Sequence, residues 1–154
     1  MYSEKELTYI KEFIQERPEC VVYLGVDSQR LRKKKVKFAT VICVHYIDEN
    51  GVGKGAKVFA DVSYEKIEDS NLSRPFQRMM REVTMVTEVY NALEDILLER
   101  EFEIHLDISE NPEAGSNVAH GAAKGYIMGL VGIEPIMKPH AFAASVAADK
   151  YSKN

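Results

Sequence analysis

The sequence predicts one α/β domain built on a five-stranded mixed sheet, three antiparallel strands followed by two parallel ones. Three observations carry this expectation. Strand-like runs at residues 21–26, 35–47 and 54–64 follow one another with only a short basic stretch and a Gly-bearing turn between them, as antiparallel strands do. Two helical stretches, 76–100 and 118–131, then each lead into a further strand-like run, and a helix between strands is the crossover that parallel pairing needs. A length of 154 residues suits one domain with a proper core and is too short for two comfortable ones.

Bulk composition narrows the function classes. Hydrophobic residues make up 45% and charged residues 29%, ordinary for a soluble globular protein. No apolar run approaches the roughly 20 residues a membrane helix requires, so no membrane partner is expected. The opening Met-Tyr-Ser-Glu-Lys-Glu lacks the apolar core of a secretory signal. Cys20 and Cys43 are the only cysteines, which excludes a disulfide framework or four-Cys zinc site. They read as small apolar residues in a reducing compartment, and a cytoplasmic protein is expected. The net charge of −4 does not advertise nucleic-acid binding, but the charge is unevenly spread. Arg30, Arg32, Lys33, Lys34, Lys35 and Lys37 form one basic group, and Arg74, Arg78 and Arg81 a second. Such runs are either a solvated edge or a phosphate-facing surface.

Taken in order, residues 3–16 carry Leu7, Ile10, Phe13 and Ile14 at helical spacing. Ser3 with Glu6 has the spacing of a capping box, and Arg17-Pro18 stops the helix. Val21-Val22-Tyr23-Leu24-Gly25-Val26 reads as a strand buried on both faces. It ends on Asp27, either a turn former before a polar Ser-Gln loop or a carboxylate needing compensation. Residues 35–47 make a long strand with Val36, Phe38, Thr40, Ile42, Val44 and Tyr46 on one face. Asp48-Glu49-Asn50-Gly51 is a turn, and residues 54–64 are the partner strand of a hairpin. Gly51-Val52-Gly53-Lys54-Gly55 lacks the Lys-Ser/Thr ending and the following helix of a phosphate loop.

After a polar connector at 65–75, residues 76–100 carry a broad apolar stripe through Met79, Val83, Val86, Val89, Tyr90, Leu93, Ile96 and Leu97. Glu82 lies near its start and Glu88 farther along; Glu82 is preferred because it belongs to the portion nearest the strand exits. Phe102-Glu103-Ile104-His105-Leu106-Asp107-Ile108 is a second strand ending near an acid, with Asp107 at the same kind of exit as Asp27. His105 is either a ligand or a satisfied sheet histidine. Residues 118–131 form a small-residue helix suited to close packing on a sheet, and 133–137 a short last strand. Lys138-Pro139-His140-Ala141 is a turn, after which Ser145 is expected to cap a final helix. Asp149 in that helix either favours the helix dipole or serves a site.

Four acids thus converge on one end of the sheet, where unpaired they would repel and raise one another's pKa values. Small hard cations with oxygen ligands would remove that problem. On Gly25-Val26-Asp27-Ser28-Gln29, Arg81-Glu82-Val83, His105-Leu106-Asp107-Ile108 and Ala148-Asp149-Lys150, the chain resembles the ribonuclease H-like nuclease superfamily. The combination with Lys138-Pro139 is similar to its bacterial YkuK-type branch, over residues 21–151. The resemblance implies a ribonuclease H-like domain over residues 1–154, with residues 1–18 as a helical appendage. It implies Asp27, Glu82, Asp107 and Asp149 as ligands of Mg²⁺ or Mn²⁺, two ions when substrate is bound, in phosphodiester hydrolysis. His140 would assist proton transfer or product release, and His140 and Asp149 could share or exchange the fourth role. Ser28-Gln29 stands where ribonuclease H itself usually has Gly-Ser, so RNA, DNA and their hybrid all stay open as substrates. Ser28, Gln29, Arg30, Arg32, Lys33, Arg78, Arg81 and Lys138 are the residues expected to meet nucleic acid. The alternative is a non-catalytic nucleic-acid-binding module, or a homodimer-forming one, on the same fold.

Overall fold

The apolar run at 21–26 becomes the middle of the sheet because it is apolar on both faces. In the computed structural model, which describes residues 1–46 and 55–153, this strand is β1 (Val21–Arg30). The other strands are β2 (Lys35–Tyr46), β3 (Gly55–Lys66), β4 (Glu101–Ser109) and β5 (Ile136–Lys138). Their order across the sheet is β3-β2-β1-β4-β5. The β1–β2 pair is antiparallel from Val21↔His45 to Arg30↔Val36, and β2–β3 is antiparallel as well. The β1–β4 and β4–β5 pairs are parallel. The expected mixed sheet is therefore present. The turn at 48–51 and most of the glycine-bearing stretch 51–55 lie outside the described residues.

Two layers cover the sheet. On one face α1 (Glu4–Gln15), α2 (Phe76–Leu97) and α3 (His120–Val131) pack against Val22, Leu24, Val26, Ile42, Ile104, Leu106 and Ile108. Each fully buried aliphatic chain there contributes roughly 1.5–3 kcal/mol relative to an exposed one. The α1 start is the expected reciprocal cap: Glu6 N–H donates to Ser3 Oγ at 3.1 Å and Ser3 N–H to Glu6 Oε2 at 2.9 Å. On the other face a smaller cluster of Val41, Cys43, Ala143 and Ala148 seats the last helix. That helix begins as π-helical turns over Ala143–Ala148 and runs on as α4 (Asp149–Lys153). Gly25 permits the seating, because a Cβ there would collide with the Ala143 backbone carbonyl.

Three expectations are corrected. β1 does not end on Asp27 before a Ser-Gln loop: it continues through Ser28 and Gln29 to Arg30, paired with β2, so of the two readings of Asp27 the turn former falls. Ser145 does not cap the last helix. The helix has already begun, and the Ser145 hydroxyl donates to the Ala141 carbonyl at 3.0 Å, one turn back. The small residues of α3 pack inward only in part. Ala123 and Ile127 face the core, while Gly121, Gly125 and Gly129 are exposed with open space where a Cβ would stand.

Candidate functional site

Parallel pairing of β1 with β4 ends at Val26↔Leu106, while β1 goes on pairing with β2 for four residues more, to Arg30↔Val36. The sheet opens at that point, and Asp27 and Asp107 are the next residue on each strand. A cleft of about 370 Å³ lies over them, walled by the 72–75 connector, the 114–116 loop and the last helix. Asp27, Ser28, Arg78, Asp107, Lys138, Asp149 and Lys153 are among its lining residues.

Asp27 is only 5% exposed. Its Oδ2 accepts a hydrogen bond from the Ser152 hydroxyl at 2.9 Å. Burial, then the charge of Asp107 and the hydrogen bond with Asp149, push its carboxyl up to about 7. For Asp149 burial acts upward too, but the hydrogen bonds with Lys153 and Asp27 and the nearby lysine charges outweigh it and hold that carboxyl low.

Glu82 reaches the site from the second turn of α2, because the helix crosses the open end of β1. It is wholly buried. The Ser28 hydroxyl donates to its Oε1, while Oε2 has no partner. Burial, followed by the charge of Asp27, drives its pKa well above the usual carboxylate range. One turn earlier, Arg78 Nη1 donates to the Ser28 hydroxyl at 2.8 Å and to the Ser28 carbonyl at 3.2 Å. Ser28 is thus fixed between a cation and an acid. Asp107 Oδ1 lies 3.1 Å from Lys138 Nζ without hydrogen-bond alignment, and Asp149 Oδ1 lies 2.9 Å from Lys153 Nζ.

A sequence profile of the family described as Ribonuclease H-like matches residues 6–153. The chain belongs to the ribonuclease H-like family. No curated protein and no solved structure matches it in the parallel comparisons. The resemblance to the YkuK-type branch is consistent with the family match, and the five-stranded sheet is the nuclease-like fold of this family. No helix among the described residues is long and apolar enough to cross a membrane.

On this ribonuclease H-like framework the four acids singled out in sequence fall at one end of the sheet. Asp27, Asp107 and Asp149 line the cleft, and Glu82 lies beneath it against Ser28. Glu88 stays outside, 3.4 Å from Arg81. Of the eight residues expected to meet nucleic acid, Ser28, Arg78 and Lys138 line the cleft. Arg81 is turned away, held by both oxygens of Glu65 at 2.9 and 2.8 Å. Arg30 pairs with Asp69 at 3.3 Å. Arg32 and Lys33 are exposed on the turn after β1, and Gln29 precedes them on the strand. His140 is exposed and lines the neighbouring groove with Glu110, Glu134 and Lys138.

His105 is a satisfied core residue. It is 1% exposed; its Nδ1 accepts from the Ala143 N–H at 3.1 Å, and its Nε2 faces Glu103 Oε1 at 2.9 Å. Burial lowers its pKa. It pins the first turn of the helix that carries Asp149.

Sequence reasoning missed Ser152 and Lys153. The spacing of Lys153 four residues after Asp149 on a helix was the available signal. Among the described residues, no three His, Cys, Asp or Glu side chains converge in this arrangement to hold a metal ion. Lysines stand on two of the four acids, and Ser28 takes one oxygen of a third.

Proposed function

We propose that this protein is a metal-dependent nuclease that hydrolyses phosphodiester bonds in RNA or DNA, leaving a 5′-phosphate and a 3′-hydroxyl. The observation that carries the reading is the surplus of buried acid at the open end of the sheet. Asp27 keeps its proton to about pH 7, and Glu82 holds a fully buried oxygen with no partner. A structural cluster would have supplied donors for these atoms.

The donor set fits a hard divalent cation. All four candidate ligands, Asp27, Glu82, Asp107 and Asp149, offer carboxylate oxygens, the type Mg²⁺ and Mn²⁺ take. One or two such ions, when bound, would supply an activated water and a clamp on the leaving oxygen. Asp27 feels the charge of Asp107 and the hydrogen bond with Asp149, so these three carboxylates, with Glu82 beneath them, are the residues that would hold the ion. Ser28 orients Glu82 and is itself oriented by Arg78. Arg78, Lys138 and Lys153 supply positive charge at the cleft, where a phosphate backbone would lie.

The second reading is a nucleic-acid-binding module without turnover. The lysine partners of Asp107 and Asp149 favour it, since they neutralise two of the four acids without any cation. A panel of single-stranded RNA, single-stranded DNA and hybrid, incubated with Mn²⁺, separates the two. Cleavage of at least one substrate by wild type, reduced by orders of magnitude in Asp27→Asn, is the expected outcome. Binding without cleavage, unaltered in Asp27→Asn, would establish the module instead.

A further inference from the structure

We propose that Lys138 and Lys153 are built-in counter-ions of the site, each holding a ligand carboxylate until a divalent cation displaces it. The inference rests on the metal site proposed above and assigns a role to the two side chains that occupy it.

The four acids divide by depth. Glu82 and Asp27 are buried at 0% and 5% exposure and are held by the hydroxyls of Ser28 and Ser152. Asp107 and Asp149 stand nearer the mouth, their side chains 20% and 31% exposed, and these two carry the lysines. The lysines come from different elements, the last residue of β5 and the last turn of α4. Both reach the same cleft, so the placement is not a by-product of one helix.

The choice of cation points to exchange. Beside this site the chain also uses arginine, which makes several aligned bonds at once. Arg81 grips both oxygens of Glu65, and Arg78 grips the Ser28 hydroxyl and carbonyl. A planar guanidinium makes several aligned bonds at once, whereas an ammonium on a flexible stem is a point charge that swings away at small cost. Lys138 and Lys153 are 44% and 61% exposed, so water receives either ammonium on release. The Lys138 contact lacks hydrogen-bond alignment, which weakens it further.

Competition also follows from the pairing. Asp107 and Asp149 each carry one ammonium at the cleft, so a cation taking either carboxylate would compete with that lysine. The released ammonium stays tethered beside the cleft that it lines, free to meet a substrate phosphate. The lysines thus keep the cation-free site neutral enough to stay folded and set how tightly it loads.

The test is Mn²⁺ affinity by calorimetry on the purified full chain without nucleic acid. It compares wild type with Lys138→Met, Lys153→Met, Lys138→Arg and Lys153→Arg, each checked for folding by circular dichroism. An exposed pair is worth about 1 kcal/mol or less, so each Met variant should bind Mn²⁺ up to about fivefold tighter than wild type. The Arg variants should bind no tighter than wild type. Mn²⁺ binding by the Met variants alone would also support the role. Equal or weaker binding by both Met variants, with wild type loading normally, would overturn it and leave the metal site standing. Failure of every variant to bind would overturn the site and the lysine role together.

Discussion

Asp27 is the residue on which the electrostatics turn. Its carboxyl titrates at about 7 in the folded protein against an ordinary 3.8. The folded state therefore holds a proton that the unfolded chain releases near pH 4. The stability this provides is complete below about pH 4 and is lost as pH rises through about 7. Glu82, also raised, acts in the same direction. Asp149, held low, acts in the opposite sense, but only in the acid range below its ordinary value. The melting temperature of the metal-free protein should thus fall between pH 5 and pH 8. Asp27→Asn, nearly isosteric and uncharged, should flatten that fall and melt above wild type at pH 8. Thermal scans of both proteins across this range check it. A wild-type profile that rises, or a variant profile with the same slope, would show that Asp27 is not under this repulsion.

At the scale of elements, two glycine substitutions should act in opposite directions. Gly25 lies where β1 touches the last helix, and a Cβ there meets the Ala143 backbone, which cannot rotate away. Gly25→Ala should cost roughly 1–3 kcal/mol by overpacking and push back the helix that carries Asp149. Gly125 sits mid-helix on the exposed face of α3, with nothing near a Cβ. Gly125→Ala should stabilise by roughly 0.5–1 kcal/mol through helix propensity alone. Urea unfolding of the two variants measures both; the same sign for each would contradict the packing described here. The contrast also shows what sequence could tell. An unbroken apolar run placed β1, long strand-like runs and turn residues placed β2 and β3, and the apolar stripe placed α2, because these signals are local. The small residues of α3 were read as a packing face, since composition does not say which side of a helix meets the core. Ser145 was read as a cap because the π-helical turns before Asp149 have no periodic signature of their own.

Across the whole molecule, the α/β class and sheet were legible from strand and crossover spacing, and the family match agrees with them. The four acids were legible as strand-end and helix-start carboxylates. Their partners were not. Lys138 meets Asp107 and Ser152 meets Asp27 across 31 and 125 positions of chain, distances over which sequence alone carries no contact signal. The basic groups show the same limit: Arg81 and Arg30 are spent on Glu65 and Asp69, while Arg78 reaches the cleft. The central claim is that these acids form a cation site whose mutual repulsion a divalent ion relieves. It is tested most directly by thermal melting at pH 8 with and without Mn²⁺, for wild type and Asp27→Asn side by side. The account predicts that Mn²⁺ raises the melting temperature of wild type and raises that of Asp27→Asn clearly less, because ligand-linked stabilisation follows affinity. Equal responses to Mn²⁺ in the two proteins would contradict it.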